Sequence, residues 1–199
     1  RKVISKLSAS IFESYSKKIG SSQIATKRAL EVLGKFLITE KPNVIFEIGS
    51  GIGTITNFII RVPGSLQFIN RYYSYEKDEW CRKKFIENIQ EAKSLTFVKF
   101  SNLQDLHEVF NVDLYIIDDR ITELDLSNLL DKSNSKFDVF IEGHRFPQRR
   151  ELTKYLQLKN IRFRYLGYTK KSGSYKGAVR SEEHTSELQS PCNLVCRLL

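Results

Sequence analysis

The chain has 199 residues, of which 41% are hydrophobic and 28% are charged. A chain of this size and composition can bury one substantial core, so we expect a single main domain. No run of 18 or more apolar residues occurs and the first residues lack an apolar leader, which argues against a membrane span and an exported product. The formal net charge is +9, and most of the positive charge lies in one part of the chain.

The first half of the sequence begins with two helical patterns. Residues 1–21 include SKLSASIFESYSKKIG, which predicts a helix or an arm packed over one end of the sheet. From Ser22 to Leu37 apolar residues recur at helical intervals, with Ser21 or Ser22 as the N-cap and Pro42 beyond the end. We therefore predict an amphipathic helix ahead of the first strand.

We place the domain at residues 22–179. Strand and helix patterns alternate along the rest of it. This predicts an α/β Rossmann-like fold with a seven-stranded, mostly parallel sheet, helices on both faces and a closing antiparallel hairpin. The last two candidate strands form the hairpin. The strand candidates are VIFEI, RYYSYE, LTFVKF, VDLYIID, FDVFIEG, IRFRYLGY (161–168) and SYKGAVR (174–180).

The final segment differs from the rest of the chain. Residues 180–190 read RSEEHTSELQS and resemble one reading frame of a widely used DNA-sequencing adapter, and PCNLVCRLL follows them. The alternative is an ordinary short helix with capping-box spacing. We interpret 180–199 as a non-native tail. Outside it Cys81 is the single cysteine, which favours a reduced, cytoplasmic setting over a disulfide-forming one.

The turn after the first strand has the pattern of a ligand-binding loop. It reads EIGSGIGT, from Glu47 to Thr54. Its glycines let the backbone approach a ligand closely, and the start of the next helix offers free N–H groups. A dinucleotide loop needs G-x-G-x-x-G, which would place a glycine at Thr54, so a nicotinamide-dependent oxidoreductase is disfavoured. An acid ahead of the loop suits a cationic ligand better than a pyrophosphate.

A second acid follows the second strand. Glu76 ends the segment YYSYE, and a carboxylate at this place in a nucleotide-binding sheet can accept hydrogen bonds from both hydroxyls of a ribose. We expect Trp80, one turn into the next helix, to pack against the sheet rather than beside an adenine ring.

Together, EIGSGIGT, SYEKDE and VDLYIIDD resemble the class I S-adenosylmethionine-dependent methyltransferases over residues 22–179, and most closely the small-molecule O-methyltransferases. The resemblance implies S-adenosyl-L-methionine as the cofactor. It also implies roles for seven residues: Gly49, Ser50, Gly51 and Gly53 beside the methionine part, Glu47 near its amino group, Glu76 at the ribose and Asn102 at the adenine.

Three side chains at strand ends are candidates for the base that a hydroxyl acceptor requires. Asp118 and Asp119 follow the fourth strand, and His144 follows the fifth. A capping or solvent-exposed role is the alternative for the aspartates, and a structural role for His144. Related enzymes hold a divalent cation at these strand ends, but the expected Asp-Asn pair is replaced by IEGHR, so no metal is assigned.

The positive charge is concentrated in residues 143–179, which hold 10 basic side chains and one acidic one, interleaved with aromatic residues. Three interpretations stay open: an RNA-binding face, a solvated helix face, and attraction of a small anionic acceptor. The sequence therefore predicts a methyltransferase acting on an oxygen of a small molecule or glycan precursor. The alternatives are an RNA methyltransferase and a non-catalytic binding module with the same fold.

Overall fold

The computed structural model describes residues 2–89, 96–100, 109–142, 146–167 and 194–198. The helices are α1 (Lys2–Ser16), α2 (Lys27–Glu40), α3 (Thr54–Arg61), α4 (Ser65–Phe68), α5 (Glu79–Asn88), α6 (Glu123–Leu130) and α7 (Phe146–Leu158). The strands are β1 (Val44–Ile48), β2 (Arg71–Tyr75), β3 (Thr96–Phe100), β4 (Val112–Ile117), β5 (Ser133–Ile141), β6 (Phe163–Gly167) and β7 (Leu194–Leu198).

The strands form one sheet in the order β3-β2-β1-β4-β5-β7-β6. The first five strands of this order are parallel to one another, and β7 is antiparallel to both β5 and β6. The direction in which successive strands are added reverses between β1 and β4. In open parallel sheets the crevice at such a switch point, beyond the carboxyl ends of the strands, is where ligands bind.

The two faces of the sheet are covered by different helices. On one face, Ile45, Tyr72 and Leu114 pack in a core with residues of α1, α2 and α3. On the other face, Phe46, Tyr115 and other strand residues pack with α6 and α7. Because successive strand residues point to opposite faces, the apolar run in β1 supplies both cores. The predicted α/β fold, with a parallel sheet and helices on both faces, is confirmed.

The predicted closing hairpin is only partly within the described residues. β6 coincides with the candidate strand 161–168, whereas 174–180 lies outside them. The strand that pairs with β6 is Leu194–Leu198, within the segment that we interpret as a non-native tail. The hairpin of 161–168 with 174–180 therefore stays a prediction.

The start of α2 differs from the expected one. Thr26 is the N-cap, and its side-chain oxygen accepts a hydrogen bond from the N–H of Ala29 at 3.1 Å. The expected caps, Ser21 and Ser22, belong to a short 3₁₀ turn that ends at Gln23. Ile24 and Ala25, ahead of Thr26, fit the same apolar pattern as α2, so periodicity could not show where the helix begins.

Residues 2–16 form the helix α1, which packs against α2 and α3. Ile4, Ile11 and Tyr15 are buried in this contact, so the helical interpretation of the N-terminal segment is correct. Among the described helices, none combines the length and the apolar character needed to cross a membrane.

Candidate active site

The glycine loop joins β1 to α3 at the switch point of the sheet. The N–H groups of Gly49 and Ser50 donate to the carbonyl oxygen of Tyr75, at 2.8 and 3.2 Å. Gly49, Gly51 and Gly53 have φ angles of 83°, 53° and 92°, which L side chains rarely adopt. The loop is thus held against the end of β2 in a shape that depends on glycine.

The three glycines have different surroundings. A Cβ atom at Gly49 would lie 2.5 Å from the Cβ of Asp119, and one at Gly53 would lie 2.7 Å from Cδ1 of Ile89. Around the corresponding position at Gly51, no heavy atom of the described residues lies within 4 Å. The open side of the loop is therefore at Gly51.

Glu76 lies beside this open side. Its Oε2 accepts a hydrogen bond from the N–H of Gly51 at 2.7 Å, and its Oε1 accepts one from the N–H of Asp78 at 2.8 Å. The residue is only 8% exposed. The acid that the sequence assigns to a ribose is therefore fixed at the mouth of the loop, and the ribose role itself stays a prediction.

A cavity of about 230 Å³ adjoins Glu76, between the end of β2 and α5. Six of the lining residues are polar or charged and two, both from α5, are apolar, but the surface that they present to the cavity is mostly apolar. The lining residues are Ser50, Ser74, Glu76, Glu79, Arg82, Lys83, Phe85 and Ile86.

Glu47 lies beneath the loop rather than on its open side, with no exposed surface. Its Oε2 accepts hydrogen bonds from the hydroxyls of Thr56 and Tyr72, the second at 2.7 Å. Its Oε1 has no hydrogen-bond partner among the described residues. Burial raises the pKa of Glu47 to about 7, against the opposing effect of the two hydroxyl donors. The expected contact of Glu47 with an amino group stays a prediction.

Trp80 packs on the N-terminal segment. A Cβ atom at Gly20 would lie 2.5 Å from the Trp80 ring and 3.2 Å from the side chain of Ile52, and Trp80 is 41% exposed. The expectation that Trp80 packs against the sheet is therefore wrong. The ring lies instead beside Gly20, in the chain between α1 and α2, and stays partly exposed.

The candidate bases lie at the end of β4, next to the loop. The N–H of Asp118 donates to the carbonyl of Ile48 at 2.8 Å. Asp119 Oδ2 forms an ion pair with Lys77 Nζ at 2.8 Å, and its Oδ1 accepts from the N–H of Arg120 at 2.6 Å. The ion pair raises the pKa of Lys77. Both aspartates thus follow β4 at the switch point, and the Asp119 carboxylate is held by two partners.

The end of β5 contacts the start of α2. Glu142 is 8% exposed, and its Oε1 accepts a hydrogen bond from the N–H of Thr26 at 3.4 Å. His144 and Asn102 lie outside the described residues. Within the described parts of the chain, no group of three or more His, Cys, Asp or Glu side chains is placed to hold a metal ion.

The partners of Glu47 are not evident from the sequence. Tyr72 and Thr56 reach Glu47 only through the register of β1 with β2 and the position of α3 over the sheet, which no local pattern shows. Asn57 was also missed, and here a signal exists. It is an amide within the mostly apolar segment ITNFII of α3, and it is buried.

Comparisons with known proteins give the fold but no close relative. No family model matches the chain, and no curated protein sequence matches it. Solved structures do match. An O-methyltransferase from Bacillus cereus, solved in complex with SAH, has a TM-score of 0.61 at 10% identity, covering 98% of this chain and 90% of that one. The chain has the fold of the class I S-adenosylmethionine-dependent methyltransferases.

Two further structures show how widely this methyltransferase fold is used. A precorrin-6y methyltransferase from Geobacter metallireducens has a TM-score of 0.60 at 13% identity, covering 88% of this chain and 90% of that one. A tRNA methyltransferase from Aquifex aeolicus has a TM-score of 0.62 at 15% identity, covering 95% and 76%. The methyltransferase resemblance seen in EIGSGIGT is confirmed at the level of the fold, and identities this low do not indicate an acceptor.

Proposed function

We propose that the chain is a class I methyltransferase that binds S-adenosyl-L-methionine and methylates an oxygen of a small molecule or glycan precursor. The observation that carries this proposal is the open position at Gly51 beside the buried carboxylate of Glu76. It lies at the carboxyl ends of β1 and β2, where the fold binds ligands.

The residues present fit this cofactor. The backbone at Gly51 leaves room for a ligand where a side chain would fill it, and Glu76 supplies a carboxylate next to that room. Glu47 lies beneath this room, and one of its buried carboxylate oxygens has no hydrogen-bond partner among the described residues. We assign the methionine part to Gly49, Ser50, Gly51 and Gly53, its amino group to Glu47, the ribose to Glu76, and the adenine to Asn102, which lies outside the described residues.

When bound, this cofactor supplies an electrophilic methyl group on a positively charged sulfur. The protein must then align the acceptor and, for a hydroxyl, remove its proton. Asp118, Asp119 and His144 are the proposed bases. The ion pair of Asp119 with Lys77, across the ends of β4 and β2, favours a positioning role for Asp119.

Calorimetry with S-adenosylmethionine and S-adenosylhomocysteine tests the cofactor assignment. We expect the unmodified chain to bind both, and Glu76→Ala to raise the dissociation constant about tenfold to a hundredfold, because a charged hydrogen-bond acceptor is lost. Lys159→Ala is the control. Lys159 pairs with Asp131, which precedes β5 and therefore lies at the amino end of that strand, away from the carboxyl ends where the site is. Equal effects of the two variants would remove the ribose assignment, and no binding by the unmodified chain would favour a non-catalytic module.

The acceptor needs a separate experiment. A labelled-methyl transfer screen over RNA, lipid and metabolite fractions identifies the class of acceptor directly. We expect incorporation into the metabolite fraction.

An RNA methyltransferase is the second candidate, and the excess of basic residues in 143–179 favours it. Within the described part of this segment, Arg150 and Lys154 pair with Glu151, and Lys159 pairs with Asp131, which reduces the charge available to phosphates. RNA binding through this surface would weaken steeply with salt. Binding that is absent or independent of salt would rule this candidate out.

A further inference from the structure

A chain of hydrogen bonds, buried at Tyr15 and partly buried at Asn88, links α1 to the glycine loop. The side-chain amide of Asn57 in α3 donates to the hydroxyl of Tyr15 in α1 at 2.7 Å, and also to the carbonyl of Asn88 in α5 at 3.4 Å. The side-chain amide of Asn88 then donates to the carbonyl of Ile52, within the loop, at 2.8 Å. Asn88 of α5 therefore bonds to the loop directly, and α3 and α1 are linked to it through Asn57 and Tyr15.

The members of this chain lie where a hydrogen bond is costly to lose. Tyr15 is 1% exposed and Asn57 is 6% exposed. Burial raises the pKa of Tyr15, so its hydroxyl stays neutral over the ordinary pH range. A buried polar group that loses its partner carries a desolvation penalty, so these contacts constrain the relative positions of α1, α3 and α5.

Lys18 fixes the orientation of the Asn88 amide. Its Nζ donates to Oδ1 of Asn88 at 2.8 Å and lies 5.3 Å from the centre of the Tyr15 ring. A lysine can only donate, so Oδ1 faces Lys18 and the amide nitrogen faces Ile52. Gly20, a little further along the same segment, also packs close to Ile52.

Contacts that hold Ile52 in place also limit the conformational freedom of the two glycines beside it. It lies between Gly51, which has open surroundings, and Gly53, the N-cap of α3. Glycine loses more conformational freedom on ordering than other residues, and a binding loop that is already ordered binds more tightly. Holding the Ile52 carbonyl and side chain therefore keeps both neighbouring glycines in place.

We propose that Tyr15, Asn57 and Asn88 are positioning residues of the glycine loop, so that the N-terminal helix contributes to cofactor affinity through Ile52. The inference rests on the proposed function, because it assigns the loop to S-adenosylmethionine. The N-terminal helix, which precedes the strand-and-loop pattern in the sequence, then supports the cofactor-binding loop.

One pair of variants tests the contact with Ile52. Asn88→Asp keeps the acceptor for Lys18 but places an oxygen against the Ile52 carbonyl, whereas Lys18→Met removes the lysine and keeps the amide. We expect Asn88→Asp to raise the dissociation constant of S-adenosylhomocysteine about tenfold, the effect of losing one partly buried hydrogen bond. Lys18→Met should raise it by no more than about threefold.

A second pair separates positioning from general stability. Tyr15→Phe and Tyr155→Phe each remove one phenol hydroxyl, and Tyr155 donates to Asp131 at 2.7 Å on the other face of the sheet. Both should lower the melting temperature, but only Tyr15→Phe should weaken S-adenosylhomocysteine binding, by about threefold to tenfold. If both leave the affinity unchanged, Tyr15 is merely structural and the inference is overturned.

Hydrogen exchange of the loop amides provides a measurement that needs no cofactor. The N–H groups of Gly49, Gly51 and Gly53 are hydrogen-bonded, and we expect them to exchange faster in Asn88→Asp and Tyr15→Phe than in Tyr155→Phe. Equal exchange in all three variants would contradict the inference even if the unmodified chain binds the cofactor. Faster exchange in a chain that binds neither S-adenosyl compound would support the linkage and refute the proposed function.

Discussion

Gly49 packs directly against Asp119, so that the glycine loop and the end of β4 are in contact without an intervening side chain. A Cβ atom at Gly49 would lie 2.5 Å from the Cβ of Asp119, and the φ of Gly49 is 83°. The carboxylates after β4 are placed at the loop by this contact. Gly49 therefore has a packing role, whereas Gly51 faces open space.

This difference predicts opposite effects of the same substitution. Gly49→Ala combines a left-handed backbone with a steric overlap, and should lower the free energy of unfolding by about 2 to 4 kcal/mol. Gly51→Ala meets no described neighbour and should cost about 1 kcal/mol, yet weaken S-adenosylmethionine binding about tenfold or more, because its methyl group enters the proposed pocket. Urea denaturation and calorimetry on both variants measure these effects. A larger loss of stability in Gly51→Ala would contradict the assignment.

The raised pKa of Glu47 predicts that the free energy of unfolding depends on pH. Its pKa is about 7 in the folded protein against an ordinary value of 4.5, so between these values the folded state holds a proton that the unfolded state has lost. The free energy of unfolding should therefore fall as pH rises from 4.5 to 7, by about 3 kcal/mol from this group, and stay reduced above pH 7.

The control for Glu47→Gln is Glu79→Gln. Glu79 is exposed, and its pKa is lowered by Lys83, so it titrates below this pH range. Denaturation curves from pH 4.5 to 8 should show the fall in the unmodified chain and in Glu79→Gln, and lose it in Glu47→Gln. The same fall in all three proteins would mean that Glu47 is ionised at low pH in the folded state.

The hydrogen bond between Glu142 and the N–H of Thr26 predicts that Glu142 stabilises the start of α2. Its buried carboxylate accepts from the N–H of Thr26, where the positive end of the helix dipole favours an anion. Glu142→Gln should lower the free energy of unfolding by about 1 kcal/mol. Glu123→Gln, an exposed glutamate in the first turn of α6, should have a much smaller effect. A similar decrease in the free energy of unfolding in both variants would show that the buried contact of Glu142 with Thr26 does not stabilise the protein more than an exposed glutamate does.

The two aspartates after β4 should differ in catalysis. Once an acceptor is known, Asp118→Asn should lower kcat about a hundredfold if Asp118 is the base. Asp119→Asn should lower it by less than about tenfold, because both oxygens of Asp119 are engaged by Lys77 and Arg120, as expected for a positioning role. Single-turnover methyl transfer with each variant measures this. The reverse order would make Asp119 the base.

The parts of the site that follow strand ends could be predicted from the sequence. The positions of EIGSGIGT after β1 and of Glu76 after β2 agree with the sequence-based prediction, because parallel strands all deliver their carboxyl ends to one edge of the sheet. The contacts of Glu47 with Tyr72 and of Asn57 with Tyr15 could not be predicted, since they join side chains of separate elements. The N-cap of α2 was misplaced because Ser21, Ser22 and Thr26 are all suitable caps.

A crystal structure with S-adenosylhomocysteine is the most direct test of the central claim. We predict ligand density beside Gly51, with the ribose hydroxyls within hydrogen-bond distance of the Glu76 carboxylate. Density at another edge of the sheet, or side chains filling the space at Gly51 when the ligand is present at saturating concentration, would contradict the assignment of this loop to the cofactor.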